Sequence, residues 1–291
     1  MLIVNISNIK YGDSYDMIQL QQNHKTKGGL TSIIKINTGI VLNMLLVSGL
    51  LLSGCNLSER SDSKSVIKDL VYNRTTDSDH TVYIDESKVS TPYLVLSDDY
   101  NGNCLLIRKN LLDETRAYNQ HKPYASYYEG SEIDSFLNEV FLELLHPAVK
   151  EQVTNSIIDI TQKDSLGVGG KNMTTIERKV FLLSYSELGA TGSRTNLTEG
   201  RPLTYFSNNE SRIAYHTDNQ PGSWWLRTPN TADVDVVCGV SVNGAVGVGG
   251  LDGLDGAYLN GVRPAFCLPN STPIFQTIID GQKAYVLTEM R

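Results

Sequence analysis

The chain has 291 residues, 40% of them hydrophobic and 20% charged, enough apolar material for one large domain or two of ordinary size and too much for a disordered or fibrous protein. Its formal charge of -7 comes from 25 basic against 32 acidic residues without a basic tract, which leaves counterion-release binding to nucleic acid nothing to act through. Four cysteines (Cys55, Cys104, Cys238 and Cys267) are too few for a disulfide scaffold in a chain this long and include no CxxC pair, so no structural metal site is expected.

Residues 39–52 read GIVLNMLLVSGLLL, an apolar run preceded by Lys25, Lys27 and Lys35 and followed by Ser53, Gly54 and Cys55. The run is short for a membrane span of ~20 residues and fits the ~7–15 residue core of a secretory signal. LSGC at its end resembles the lipobox of bacterial lipoproteins, where a peptidase cuts before the Cys and the thiol takes a diacylglyceryl group. Residues 1–54 are therefore expected to be a signal peptide with lipobox and Cys55 the lipidation site; a buried hydrophobic helix ending in Cys is the alternative. The stretch before the apolar run is long for an n-region, which a true start at Met17 would explain. Without residues 1–54 the chain carries 21 basic and 30 acidic residues, a charge of -9. Residues 55–80 are Ser/Asp-rich with little apolar periodicity, a flexible tether, and residues 81–291 form the folded domain.

Residues 81–85, 92–97 and 104–108 read as strands, the last two joined across the turn signal Asn101-Gly102. The acidic turn SDDYNGN lacks the spaced ligands and closing Glu of an EF-hand, so a turn is expected there. In residues 131–145, Ile133, Phe136, Leu137, Val140, Phe141, Leu144 and Leu145 follow helical spacing, with Ser131 as N-cap and Pro147 past the end. A second, shorter amphipathic segment has Val149, Val153 and Ile157 as its expected buried face. Residues 163–178 are polar and Gly-containing and read as a loop, 180–184 (VFLLS) as a strand, and 189–223 as loop-rich.

Trp224 and Trp225 are adjacent; in a strand, one ring enters the core while the other faces a surface or a second layer. The alternating run around Asn243-Gly244 is a strong hairpin signal, and GGLDGLDGAYLNG, with Gly250, Gly253, Gly256 and Gly261, reads as an exposed loop before a last strand in GVRPAFCLP.

Asn138 and Phe141 in the helix, VFLLSYSE, SWWLRTP, the Val-rich hairpin over NG and GVRPAFCL together resemble a bacterial family, domain of unknown function 6273 (DUF6273), often carried by surface lipoproteins. The resemblance covers about residues 92–275 and is most specific at SWWLRTP and GVRPAF. It implies an α+β, C-type-lectin-like fold of the formylglycine-generating-enzyme kind, with small twisted antiparallel sheets, one or two helices and much irregular loop. It also places Arg227 and Arg263 at motif arginines, whose expected work is an internal ion pair or a clamp on backbone carbonyls.

No catalytic set emerges, so the chain is not expected to be an enzyme. The formylglycine-generating relative uses two reactive Cys close in sequence, whereas Cys238 and Cys267 are far apart here. His80, His121, His146 and His216 are scattered, and HExxH, GxSxG and phosphate-loop patterns are missing. GGLDGLDG resembles a single calcium-binding nonapeptide repeat, which needs stacked neighbours; no cofactor is expected, with calcium at Asp252 and Asp255 as the side hypothesis.

Between Arg227 and Phe275 there is no Lys, Glu, Gln, Met or Trp, where the chain-wide frequency would give about seven. Adenine substitution in Asn codons yields none of these five residues, so the window resembles the variable region of retroelement-diversified proteins; the simpler alternative is that Gly/Val-rich hairpins exclude long side chains. Three functions stand as readings: a surface-displayed lipoprotein that presents a variable C-terminal loop face to a protein or glycan ligand, an extracytoplasmic enzyme, and a structural envelope lipoprotein. The first is preferred, with the membrane reached through the N-terminal lipid. The outward, ligand-contacting positions are expected to be Asp233, Asp235, Val237, Asp252, Leu254, Asp255, Tyr258 and Asn260, with Trp224, Trp225, Arg227, Arg263 and Phe266 fixing the frame.

Overall fold

Asn101 and Gly102 both take positive φ, 53° and 76°, the left-handed pair a two-residue hairpin needs, and they join strand Val89–Tyr100 to strand Asn103–Arg108. Around this hairpin the computed structural model describes residues 65–73, 80–190, 198–247 and 253–288, with backbone only at 253 and 254. The chain divides after Ser61, and every described residue belongs to the unit Asp62–Arg291. The signal-peptide segment and Cys55 lie outside the described residues.

Strands β1 (Ser65–Val66), β2 (Thr81–Glu86), β3 (Val89–Tyr100), β4 (Asn103–Arg108) and β5 (Arg116–Ala117) precede helix α1 (Glu132–Leu144). After it come helix α2 (Pro147–Lys150), β6 (Ser156–Thr161), β7 (Met173–Arg178), β8 (Val180–Phe181) and helix α3 (Asn209–Arg212). The C-terminal third holds β9 (Ala214–Tyr215), β10 (Pro221–Gly222), β11 (Trp224–Pro229), β12 (Val236–Val240), β13 (Val246–Gly247), β14 (Gly253–Asp255), β15 (Leu259–Asn260), β16 (Ala265–Leu268), β17 (Pro273–Ile279) and β18 (Gln282–Val286).

The main sheet has eight strands in the order β1-β17-β18-β2-β3-β4-β16-β8, antiparallel throughout except where β18 lies parallel to β2. Cys104 to Arg108 of β4 and all of β16 are buried, so the centre of this sheet is covered on both faces. A smaller sheet holds β11, β12 and β13, with β14 also on β12, and the pairs β5–β15, β6–β7 and β9–β10 complete an α+β domain of mostly small sheets, few helices and much loop.

Helix α1 runs as α-helix over Glu132–Ser135, π-helix over Phe136–Phe141 and α-helix over Leu142–Leu144, and the Ser131 hydroxyl accepts the Asp134 N–H at 3.3 Å as its N-cap. The wider π turn changes the buried stripe to Ile133, Leu137, Phe141, Leu142 and Leu145. Val140 and Leu144, expected inside on a 3.6-residue period, are exposed.

Other segments depart from their expected forms. Residues 65–73, expected in the tether, pack into the fold: Ser65 and Val66 pair with β17, and Ile67 and Leu70 are buried. Ile157 is not on a buried helical face but exposed on β6, where Ile158 and Ile160 point inward. Residues 173–178, expected as loop, form β7, because hydrogen bonding to β6 supplies what apolar pattern does not. The strand expected over 180–184 stops at Phe181. Gly256 and Gly261, expected in an exposed loop, are buried.

Both tryptophans are fully buried, so neither ring faces the surface. The Trp224 indole N–H donates to Arg212 O at 3.1 Å and that of Trp225 to Arg116 O at 2.8 Å, so neither ring enters the interior with an unmet donor. Truncating either to Ala costs about 3–5 kcal/mol on the scale of large aromatic deletions.

Candidate functional site

The frame beneath the C-terminal loops is built on buried charge. Arg227, on β11, meets Glu187 through two parallel contacts, Nη1 to Oε2 at 2.7 Å and Nη2 to Oε1 at 2.9 Å, with both side chains fully buried. The same guanidinium donates to the carbonyls of Asp159, Leu182 and Glu199 at 3.0, 2.9 and 3.2 Å. Glu187 also accepts the Tyr100 hydroxyl at 2.6 Å and the Ser184 N–H at 2.8 Å. Four segments, at Tyr100, Asp159, Leu182–Glu187 and Glu199, are thereby tied to β11 through one fork, the geometry arginine supplies and lysine does not.

A second carboxyl, Glu199, lies buried beside this pair. Its Oε1 accepts from the Thr161 N–H at 2.8 Å and hydroxyl at 2.7 Å, and its Oε2 meets the Thr228 hydroxyl. Burial pushes its pKa up, against the opposing pull of Arg227 and of these donors. Arg263 donates from Nε to Arg108 O at 2.9 Å and stacks 5.2 Å from the Trp224 ring. Phe266 packs against Tyr93 with centroids 5.3 Å apart. Trp224, Trp225, Arg227, Arg263 and Phe266 are all buried.

Of the expected outward positions, Tyr258 is 63% exposed and Asp233 is exposed, while Asp235 and Asp255 are half-buried. Val237 is fully buried, a correction: Val237 to Val240 of β12 alternate between its two faces and all four are covered, so neither face of the strand is outward. Asn260 is also buried rather than outward, with its Oδ1 accepting from the Ser223 hydroxyl at 2.6 Å and the Gly261 N–H at 2.9 Å. Asp252 and the side chain of Leu254 lie outside the described residues.

The acids of this face are engaged within the chain. Lys122 Nζ contacts the Asp255 carboxylate and lies 3.9 Å from Asp235 Oδ2. Asp235 Oδ1 accepts the Ala125 N–H at 2.9 Å, and Gly256 O accepts the N–H groups of Tyr118 and Asn119 at 2.8 and 3.0 Å. A Cβ at Gly256 would come within 2.6 Å of Ala125 O, so only glycine permits this closeness. Residues 118–126 are thus laced to 234–235 and 255–256. Asp255 titrates below its usual range: burial alone would raise it, but the Lys122 ammonium and the Ala257 N–H outweigh that. An Asp255 that faces an ammonium is poorly placed for calcium, and no group of three or more His, Cys, Asp or Glu gathers for a metal among the described residues.

Sequence pattern did not single out Lys122, or the cluster Tyr-Ala-Ser-Tyr-Tyr at 124–128 beside it. An aromatic cluster following Lys-Pro, before the helix cap at Ser131, is the signal that was present. Cys104, Cys238 and Cys267 are buried free thiols. Burial pushes Cys104 and Cys267 up to about 12 and Cys238 well above its usual value, so none is a thiolate at neutral pH. An open groove of about 400 Å³ between α1 and β7 includes in its lining Asp134, paired with Arg178 at 2.7 Å, and Asn138, bonded to the backbone of β8.

A buried arginine frame under hydrogen-bonded loops, on small sheets with few helices, defines an α+β scaffold that holds irregular backbone in a fixed shape. Residues 101–270, more than half the chain, match the family described as domain of unknown function (DUF6273), and the chain belongs to that family. No curated protein and no solved structure matches it. No helix among the described residues is long and apolar enough to cross a membrane.

Proposed function

We propose that this chain is a lipid-anchored, extracytoplasmic binding module that presents its C-terminal loop face to a protein or glycan ligand, without catalytic activity of its own. The observation that carries this is Tyr258: a large side chain left 63% exposed on backbone pinned by the Tyr258 N–H to Asp255 O bond at 2.9 Å and the Lys122–Asp255 contact. A rigid, exposed tyrosine gives contact area and a hydroxyl at small conformational cost, which is what an interface anchor needs. The lipobox-like LSGC supports lipid attachment at Cys55, and the long irregular share of the domain supports a C-type-lectin-like fold.

Diversification of the window 227–275 by a retroelement belongs to the same proposal, with one refinement. Much of the window is interior, so variable positions fall at exposed residues such as Ala232, Asp233, Val242, Asn243, Tyr258 and Leu259. The partner surface need not be basic, since Asp235 and Asp255 already face Lys122. The test pairs a melting curve with a titration against the ligand that a protein and glycan array returns. Tyr258→Ala is expected to weaken binding by about 2 kcal/mol and to change stability by no more than ~0.5 kcal/mol. Unfolding of this variant, or unchanged affinity, overturns the assignment.

A further inference from the structure

Tyr124 stands in the left-handed region at φ 79°, a conformation that a bulky residue adopts only when its surroundings hold it there. The restraints are visible on both sides: Asp235 holds the next N–H, that of Ala125, and the Tyr127 N–H returns to Tyr124 O at 3.1 Å. This turn directs two half-buried rings at one ammonium group. Lys163 Nζ lies 4.7 Å from the centroid of Tyr124 and 5.9 Å from that of Tyr127, within the range where the negative face of a ring attracts a cation. Tyr127 is steadied further by its hydroxyl, which donates to Glu129 Oε2 at 2.8 Å. Lys163 itself is exposed on a three-residue 3-10 turn.

We infer that Tyr124 and Tyr127 form a two-walled aromatic site for an organic ammonium ion, which Lys163 fills from within the chain until an external cation replaces it. An exposed lysine stem has rotamer freedom to leave, whereas the backbone that carries the two rings is held by hydrogen bonds. Methyl groups on the incoming nitrogen favour the exchange, because a quaternary ammonium gives up less hydration than a primary one on meeting the rings. The inference rests on the same loop region being a binding surface, yet it uses residues separate from Tyr258.

The test is a titration of the full chain with tetramethylammonium and, in parallel, with n-butylammonium, read from the ring resonances of Tyr124 and Tyr127. Lys163→Ala removes the internal competitor and is expected to bind about fivefold more tightly than the parent. Tyr127→Leu and Tyr124→Gly in the Lys163→Ala background are expected to abolish binding; glycine suits the positive φ, and a melting curve on each variant verifies folding. Tetramethylammonium is expected to bind more tightly than n-butylammonium, and the reverse order overturns the assignment to methylated ammonium ligands. Absence of binding by Lys163→Ala, affinity no higher than the parent's, or binding that persists in folded Tyr127→Leu overturns the inference. Tyr258→Ala is expected to leave the ammonium titration unchanged, so the failure of this site and the failure of the Tyr258 face are read separately.

Discussion

Asn138 acts toward Val180 as one more backbone unit: its Nδ2 donates to Val180 O at 2.9 Å and its Oδ1 accepts the Val180 N–H at 3.1 Å. The same Oδ1 takes the Lys179 N–H at 3.2 Å, so a side chain on the π turn of α1 closes the free edge of β8, the last strand of the main sheet. An open edge is thereby paired without another strand.

Asn138→Ala leaves these groups without their partner and is expected to cost about 2 kcal/mol, read as a shift of the urea midpoint. Asn138→Asp is expected to do no better, because it loses the donor to Val180 O and brings a second carboxylate near Asp134, whose Oδ1 lies 3.3 Å from Nδ2. An unchanged midpoint in either variant would contradict this role.

The two buried glutamates are expected to respond differently to amidation. Glu187→Gln breaks the two-point pair with Arg227 and is expected to cost about 3–5 kcal/mol. Glu199 has a folded pKa above its unfolded one, so the stability it contributes is present below about pH 4.3 and is lost as pH rises through the folded value. Glu199→Gln removes that slope. Denaturant midpoints across a pH series check both: the parent declines with rising pH in that window and Glu199→Gln stays flatter.

Lys122→Met is expected to raise the Asp255 pKa, since its ammonium is the main group that holds the carboxylate low. The sign is that of a depressed acid, whose stabilising pairing is present above the unfolded value of ~3.9 and fades as pH falls through the folded one. Carboxyl carbon resonances followed through an acid titration give the pKa directly. An Asp255 pKa unmoved in Lys122→Met counts against the pairing.

Cys104, Cys238 and Cys267 are expected to resist a thiol reagent in native protein and to react together once denaturant opens the fold. Rapid labelling of any one without denaturant contradicts its burial.

Sequence pattern was most informative where a local rule acts alone. Asn101-Gly102 encodes its turn through φ, and Ser131 encodes the start of α1 through its cap. The buried face of α1 was misplaced at Val140 and Leu144 because a π turn is set by tertiary packing that a 3.6-residue period does not contain. Val237 was misplaced for a related reason: alternation identifies two faces of a strand, but not that both are covered. The burial of Asn260 depends on Ser223, 37 positions away. β7 has only Ile176 buried, too little pattern to distinguish it from loop. Lys122 acquires its meaning only when Asp235 and Asp255 arrive from the other end of the domain.

The pairing of β4 with β16 places Leu105 against Cys267, and β1 and β2 find their partners in β17 and β18. A chain made from its N-terminus holds the first half of its main sheet for most of synthesis without the strands that complete it. Such distant pairings pay their loop-closure entropy before any contact rewards it, which favours slow folding late in the life of the nascent chain. Until Val286 is available the β2 edge at Tyr83 lacks its internal partner, and an unpaired strand edge is a template for pairing with other chains.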